Sequence, residues 1–134
     1  ACARRLGIED RIIWAGMHND PRPVYSAIDM LCSSSIYGEG FSNVIGEAMA
    51  CRVPCAVTDV GDSADIVGSL GTVCPPGDPI RLKNAITELL KRIRVEPALP
   101  RNCRIRIEEL YAVDRMVQAT ETAFEKLLST RQRG

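Results

Sequence analysis

The chain has 134 residues, of which 46% are hydrophobic, and its 17 basic side chains balance 17 acidic ones. This size and composition predict one globular domain with a single core, and no uncharged apolar run approaches the ~18 residues of a membrane span. A formal charge of zero and an aromatic content of 4% argue against a nucleic-acid-binding domain, which is typically basic with interleaved aromatic residues.

Apolar runs and helical patterns alternate along the chain. The apolar runs predict strands at residues 11–15, 28–33, 54–58 and 72–74. Helices are predicted at residues 1–6, after Asp20, from Ser42 to Pro54, at residues 63–67, from Asp78, and at residues 104–110 and 113–128. Short strands separated by helices predict an α/β domain in which helices cover both faces of a parallel sheet.

Charge is unevenly distributed along the chain. Residues 1–80 hold 5 Lys/Arg and 10 Asp/Glu, whereas residues 81–134 hold 12 and 7. The basic C-terminal part fits either peripheral contact with an anionic membrane or acidic partner, or a solvated helical face, and we favour the solvated face. The arginines concerned are Arg92, Arg94, Arg101, Arg104 and Arg106.

Six cysteines are scattered through apolar surroundings without the spacing of a metal site. They are Cys2, Cys32, Cys51, Cys55, Cys74 and Cys103. We expect free, buried thiols in a reducing cytoplasm, and we prefer this to a redox pair formed by Cys51 and Cys55.

The most informative stretch is residues 37–50. It places Glu39 between Gly38 and Gly40, just before the helix that Ser42 is expected to cap. Gly40 allows the backbone to approach a ligand closely. The free N–H groups of the first helical turn suit an anionic group such as a diphosphate.

Glu47 lies about one and a half turns further along the same helix. It sits beside the apolar arc of that helix, which is formed by Val44, Ile45, Ala48 and Met49. Its carboxylate is suited to accept hydrogen bonds from a vicinal diol, although an exposed helix glutamate is the alternative. An anion site with a carboxylate at each end suits a nucleotide-sugar, which has a diphosphate in the middle and hydroxyl groups at both ends.

This part of the chain closely resembles the donor-binding core of the retaining family-four, or group 1, glycosyltransferases. The resemblance covers about residues 6–86 and rests on an E-x7-E pattern together with the motifs EGF, EAMACxVP, TDVG and PPGDP in that order. It implies that residues 1–134 form one Rossmann-like, three-layer domain. This domain would be the C-terminal half of a GT-B enzyme, truncated at its N-terminal side and without the acceptor-binding N-terminal domain.

The resemblance also implies roles for individual residues. Glu39, the candidate catalytic residue, would contact hydroxyls of the transferred sugar, and Glu47 would hold the ribose. Amides between them would contact sugar and phosphate, and the loop containing His18 would lie near the base. The donor-binding residues assigned in this way are Gly16, Met17, His18, Glu39, Gly40, Phe41, Ser42, Asn43 and Glu47.

Several of these residues have an alternative interpretation. His18 could be a general base, but no visible partner orients it, so we favour a polar loop residue. Phe41 either walls the sugar pocket or simply packs. Asp62 and Asp65 are expected to cap a turn and a short helix, because no third metal ligand is evident, and no metal or further cofactor is expected.

Arg52 departs from the family pattern, which usually has Gly at this end of the helix. Glycine readily takes the left-handed conformation that closes many helices. The departure leaves the conformation of this helix end undecided, whereas the assignment of the donor site does not depend on it.

The resemblance implies that the chain is the donor-binding part of a retaining hexosyltransferase of polysaccharide biosynthesis. Such an enzyme moves sugar from a nucleotide-diphosphate sugar to a glycan or lipid-linked acceptor, in the cytoplasm or at the cytoplasmic face of a membrane. The alternative is a non-catalytic nucleotide-sugar-binding module or subunit. The chain opens without Met and lacks the first strands of the family domain, so we expect a piece of a longer protein that is inactive alone.

Overall fold

A computed structural model describes residues 2–38 and 40–131, and its centre is a small parallel sheet. In the described residues the strands are β1 (Leu31–Ser33), β2 (Cys55–Thr58) and β3 (Thr72–Cys74), which lie in the order β1-β2-β3. The α-helices are α1 (Cys2–Arg5), α2 (Arg22–Ser26), α3 (Asn43–Ala50), α4 (Ser63–Val67), α5 (Pro79–Val95), α6 (Leu99–Leu110) and α7 (Val113–Arg131).

Helices cover the two faces of this sheet. Ala56 of β2 is the register partner of Thr72 in β3, so both side chains point to the same face. The Thr72 hydroxyl donates a hydrogen bond to the Ala85 carbonyl of α5 at 3.0 Å, which places α5 on that face. Cys55 points to the opposite face, where its thiol lies 4.0 Å from the Ile45 carbonyl oxygen of α3. The Rossmann-like α/β architecture is therefore confirmed.

One core joins the two helical layers through β2, all of whose residues are buried. Each buried aliphatic side chain contributes about 1.5–3 kcal/mol relative to an exposed one. The largest contributors are fully buried: Ile45, Met49, Val57, Ile66, Val67, Leu89 and Leu99. The predicted final helix is present as α7, but the side chains of residues 113–129 are all exposed.

The strand predicted at residues 11–15 is not formed. Glu9–Arg11 is a short 3-10 turn, and the side chains of Ile13 and Trp14 are 92% and 83% exposed. A strand exists only where its backbone groups pair with a neighbouring strand, and none of β1, β2 and β3 pairs with this segment. The prediction was wrong because an apolar run does not supply its own partner.

The remaining predicted elements differ mainly at their ends. The predictions for residues 63–67 and 72–74 are confirmed as α4 and β3. Asp78 caps α5 as expected, since its Oδ1 accepts hydrogen bonds from the backbone N–H groups of residues 80 and 81 at 3.0 Å each. β1 is shorter than the strand predicted at residues 28–33. α6 begins at Leu99, because Pro100 is tolerated in a first helical turn.

The thiols are free, but the expectation that they are all buried is only partly correct. Cys55, Cys74 and Cys103 are buried, whereas Cys2 and Cys32 are exposed. Cys32 lies on β1, and it shares its face with Ala56 on the side where α5 covers β2 and β3. Burial raises the pKa of Cys103 to about 11, so this thiol stays protonated and unreactive near neutral pH.

Three arginines of the basic C-terminal part are engaged within the fold. Arg92 donates hydrogen bonds to carbonyls of the segment before β3 at 3.0 and 3.1 Å, and Arg106 donates to the last carbonyls of α4 at 2.6 and 2.8 Å. Arg104 pairs with Glu108 at 2.7 Å. Among residues 2–38 and 40–131, no helix has the length and apolar character that crossing a bilayer requires.

Arg52 closes α3 in the left-handed conformation, with φ of +67°. Its N–H donates to the Met49 carbonyl at 2.9 Å, and the Val53 N–H donates to the Ala48 carbonyl at 2.9 Å. These two bonds form a Schellman motif, in which the left-handed position is usually glycine. The helix end thus keeps glycine-type geometry despite the arginine, at a cost of about 1–2 kcal/mol for the Cβ.

We expect Arg52→Gly to raise the free energy of unfolding by about 0.5–1 kcal/mol, because relief of the left-handed strain exceeds the extra chain entropy of glycine. Denaturant unfolding measures the change. Arg52→Ala is the matched control, since it removes the long side chain but keeps the Cβ and should give no stabilisation. Equal stabilisation by both variants would contradict this explanation.

Candidate functional site

The loop between β1 and α3 lies at the carboxyl edge of the sheet, and the structure ties it to the β2–α4 connection. The Thr58 hydroxyl at the end of β2 donates a hydrogen bond to the Ser35 carbonyl at 2.7 Å. Further along, the Asp62 N–H donates to the Gly40 carbonyl at 3.3 Å. Ligands of open α/β sheets bind beside such loops. Glu39 lies outside the described residues, so its catalytic role stays a prediction.

The two glycines that flank position 39 are suited to a close backbone approach. Gly38 has φ of +83°, a conformation that L-residues rarely adopt. A Cβ built on Gly40 would meet no other atom of the described chain within 4 Å. The backbone at Gly40 is therefore open on the side where a side chain would project.

Helix α3 starts as predicted, with Ser42 in the extended N-cap conformation and Asn43 as the first helical residue. The Ser42 side chain is buried and makes no capping hydrogen bond, whereas Asn43 is exposed. The Ile45 N–H donates to the Ser42 carbonyl at 3.1 Å, whereas the N–H groups of Asn43 and Val44 precede the first bonds of the helix and carry its positive dipole end. The start of α3 therefore offers donors to an anion at the carboxyl edge of the sheet.

Glu47 projects from α3 into a groove between α2, α3 and α6. The Tyr25 hydroxyl of α2 donates a hydrogen bond to Glu47 Oε2 at 3.0 Å. Burial and this hydrogen bond raise the pKa of Tyr25 to about 12. The groove has a volume of about 430 Å³ and is lined by Pro21, Arg22, Tyr25, Glu47, Ala50, Cys51, Arg104 and Glu108.

A second cavity of about 280 Å³ adjoins this groove, because Pro21 and Tyr25 line both. It brings Gly16 and His18 of the predicted base-binding loop beside Val44, which is in the first turn of α3. Its lining is Ala15, Gly16, His18, Pro21, Val24, Tyr25, Ile28, Leu31 and Val44. The predicted loop and the predicted ribose carboxylate therefore open onto neighbouring spaces.

His18 is held by its own loop. Its Nε2 lies 2.9 Å from the Ala15 carbonyl oxygen, so this nitrogen is the donor. In the neutral ring Nδ1 is then the acceptor, so the general-base and the polar-loop interpretations of His18 both stay predictions. The neighbouring Met17 side chain is 97% exposed and does not line the cavity.

Phe41 is another predicted donor-binding residue whose side chain lies outside the groove and the adjoining cavity. Its ring packs on Tyr111 with centroids 5.4 Å apart, on the side of α3 that faces α6. A Cβ on Gly46 would approach the Phe41 ring to 3.3 Å, so Gly46 allows this packing.

Sequence reasoning missed Tyr25 and the two arginines of the groove, Arg22 and Arg104. Tyr25 sits in a short segment whose local pattern gave no sign of a partner 22 residues away. The available signal was the residue type alone, since a tyrosine that becomes buried usually needs a hydrogen-bond partner for its hydroxyl. In the described part of the chain, no cluster of three His, Cys, Asp or Glu side chains could hold a metal ion.

The family comparison decides what kind of domain carries these features. The family model described as "Glycosyl transferases group 1" matches residues 1–92. The chain belongs to this family. The expected membership of the group 1 glycosyltransferases is thereby confirmed.

Two curated relatives of this group 1 domain are glycosyltransferases. It is 28% identical over 133 residues to N-acetyl-alpha-D-glucosaminyl L-malate synthase from Bacillus anthracis, covering 98% of the chain and 35% of that protein. It is 27% identical over 128 residues to the lipopolysaccharide core biosynthesis mannosyltransferase LpsB from Rhizobium meliloti, covering 92% of the chain and 36% of that protein. The chain therefore spans about a third of the length of these relatives.

Solved GT-B glycosyltransferases share the fold. Sucrose-phosphate synthase from Thermosynechococcus elongatus matches with a TM-score of 0.75 and 27% identity, over 96% of the group 1 domain and 33% of that enzyme. HepE from Anabaena, in complex with UDP-glucose, matches with a TM-score of 0.77 and 25% identity, over 92% and 35% of the two chains. The complex of HepE with UDP gives a TM-score of 0.78 and 26% identity.

We expect Thr58→Val to lower the free energy of unfolding by about 1 kcal/mol, because the carbonyl oxygen of Ser35 loses a hydroxyl donor from the end of β2. Amide hydrogen exchange in the loop at residues 34–42 should become faster. Thr87→Val is the control, since Thr87 is exposed and its hydroxyl donates to the Lys83 carbonyl of the same helix at 2.8 Å. Unchanged exchange in the loop would show that Thr58 does not anchor it.

Proposed function

We propose that the chain is the donor-binding, C-terminal half of a two-domain retaining glycosyltransferase. Its donor is a nucleotide-diphosphate sugar of hexose type, and its acceptor is a glycan or a lipid-linked glycan of polysaccharide biosynthesis. The observation that carries this proposal is the placement of Glu47 and the Gly16–His18 loop on adjoining spaces beside the start of α3. A nucleoside binds along these spaces and presents its diphosphate to the helix.

The sizes and chemistry of the two spaces support this arrangement. The larger space, at about 430 Å³, is within the range of small-molecule sites, and the smaller one, at about 280 Å³, lies just below that range and adjoins it. The smaller one is lined largely by apolar side chains, such as Val24, Ile28 and Leu31, which suit a flat base. The larger one contains the Glu47 carboxylate, which accepts hydrogen bonds from the ribose hydroxyls. Complexes of HepE with UDP and UDP-glucose support the same class of ligand.

The transfer step requires stabilisation of the leaving diphosphate. The exposed first turn of α3 and the open backbone at Gly40 supply N–H donors where negative charge develops. These donors act without a bound metal ion. Glu39, on the loop tied down by Thr58 and Asp62, contacts the hydroxyls of the transferred sugar and positions its anomeric carbon.

The acceptor side is assigned to a second, N-terminal domain. The relatives are about three times as long as the chain, which leaves room for a domain of similar or larger size. The uncovered apolar stripe of α7 supports the presence of further protein, since such stripes are normally buried. The exposed residues of this stripe are Met116, Val117, Phe124, Leu127 and Leu128. A lipid-linked acceptor would bring the enzyme to the cytoplasmic face of a membrane.

We expect Glu47→Ala in the full-length protein to weaken nucleoside diphosphate binding at least about 10-fold, because the diol loses a charged acceptor. Glu39→Ala should instead reduce kcat with little change in binding. Thermal stabilisation by UDP, GDP and ADP measures the first effect, and sugar transfer measures the second. Glu121→Ala on α7 is the control. Equal, negligible effects of Glu47→Ala and Glu39→Ala would remove the assignment.

The 134-residue chain alone should bind donor weakly and transfer no sugar, because the chain spans about a third of its relatives' length and acceptor binding is assigned to a second domain. Turnover of UDP-glucose, GDP-mannose and ADP-glucose by the isolated chain and by the full-length protein checks this. Measurable turnover by the isolated chain would contradict the proposal that donor and acceptor are bound by two different domains. Donor binding by a full-length protein that shows no transfer would favour a non-catalytic binding module instead.

A further inference from the structure

Tyr25 makes a hydrogen bond that the group 1 assignment does not account for. Only 6% of its surface is exposed, yet its hydroxyl reaches the exposed side chain of Glu47 at 3.0 Å from Oε2. The two residues come from different helices, α2 and α3. A buried ring therefore carries a donor directly to the carboxylate at the edge of the groove.

We propose that Tyr25 is a positioning residue, which holds the Glu47 carboxylate in one orientation and thereby sets the preference of the site for ribonucleotides over 2′-deoxyribonucleotides. This inference rests on the proposed function, because it assumes that Glu47 binds the ribose. Tyr25 itself touches no substrate in this scheme. It acts through Glu47.

The physical reason is the loss of side-chain freedom. An exposed glutamate populates many rotamers, and fixing it on ligand binding costs up to about 1.5–2 kcal/mol. Tyr25 has only two rotatable side-chain bonds, and its ring is packed in the core cluster. A hydrogen bond to this fixed hydroxyl orients Glu47 before the ligand arrives, so less ordering remains for binding.

The bond also leaves enough acceptor capacity for a diol. An ionised carboxylate has about four lone-pair sites, and the Tyr25 hydroxyl occupies one of them on Oε2. Oε1 and the rest of Oε2 remain for two donated hydrogen bonds from adjacent hydroxyls. A 2′-deoxyribose supplies one of these donors fewer, so it gains less from a carboxylate that is already oriented to accept two hydrogen bonds.

The cations of the groove have partners of their own. Arg22 binds Asp20 through Nε at 2.8 Å, and Arg104 binds Glu108 through Nε at 2.7 Å. The partner that the structure gives Glu47 is a phenol, which is neutral near pH 7 at its ordinary pKa, and burial raises the pKa of Tyr25 further, to about 12. A neutral donor orients the carboxylate without neutralising its charge.

The test uses the full-length protein and the nucleoside diphosphate that binds best among UDP, GDP and ADP. Its affinity is compared with that of its 2′-deoxy counterpart by calorimetry. Tyr25→Phe keeps the buried ring and removes only the hydroxyl. We expect it to weaken binding of the ribonucleotide about 3- to 10-fold and to reduce the ribo/deoxyribo affinity ratio towards the value of Glu47→Ala.

Three further variants separate positioning from packing. Tyr111→Phe removes another tyrosine hydroxyl, which donates to the Asp65 carbonyl at 3.1 Å outside the groove, and should leave the ratio unchanged. Glu47→Asp keeps the negative charge, but its side chain is one methylene shorter and its carboxylate lies further from the Tyr25 hydroxyl. It should therefore lower the ribo/deoxyribo affinity ratio as Tyr25→Phe does. In a Glu47→Ala background, Tyr25→Phe should have no further effect on binding.

The outcomes are distinct. The positioning role would be overturned, with the proposed function intact, if Tyr25→Phe left the ribo/deoxyribo affinity ratio unchanged. It would also be overturned if Tyr25→Phe weakened binding equally in the wild-type and Glu47→Ala backgrounds. A third contrary result would be a lower ribo/deoxyribo affinity ratio in Glu47→Ala together with an unchanged ratio in Tyr25→Phe and Glu47→Asp. If the wild type bound none of the three nucleotides, or if Glu47→Ala had no effect, the proposed function would fail and the role of Tyr25 with it.

Discussion

The burial of one side of α3 is the constraint on which the site depends. Ile45, Ala48 and Met49 have no exposed surface, and they fix the rotation of the helix about its own axis. Once that rotation is set, Glu47 can only face the groove beside α2, and Gly46 can only face α6. Hydrophobic packing, rather than any polar contact, thus determines where the candidate binding carboxylate is presented.

Local sequence rules were sufficient for the elements that carry their own signals. The Asp78–Pro79 start of α5 was predicted because the capping residue and the tolerated proline are neighbours in the chain. The start of α3 after Ser42 followed from the same type of signal. The place of the Gly16–His18 loop near the donor was expected only from the family resemblance, since the strand predicted before Gly16 is not formed.

The features that were not predicted depend on contacts between distant segments. The apolar run at residues 11–15 looked like a strand, but strand formation requires a partner that its own residues do not specify. Cys32 is exposed because α5 covers β2 and β3, which is a property of helix placement and not of the strand sequence. The hydrogen bond between Tyr25 and Glu47, and the packing of Phe41 on Tyr111, likewise arise only when helices meet.

The parallel pairing of the strands has a kinetic consequence. Leu31 pairs with Cys55 and Ala56 pairs with Thr72, so each ladder closes only after an intervening helix has been folded back. Closing such non-local pairs is slow compared with helix formation. The sheet beneath α2 and α3 is therefore completed late compared with the helices themselves. A nucleotide that binds only the folded state would raise the apparent stability of the whole domain, the sheet included, by an amount that rises with its concentration relative to its Kd.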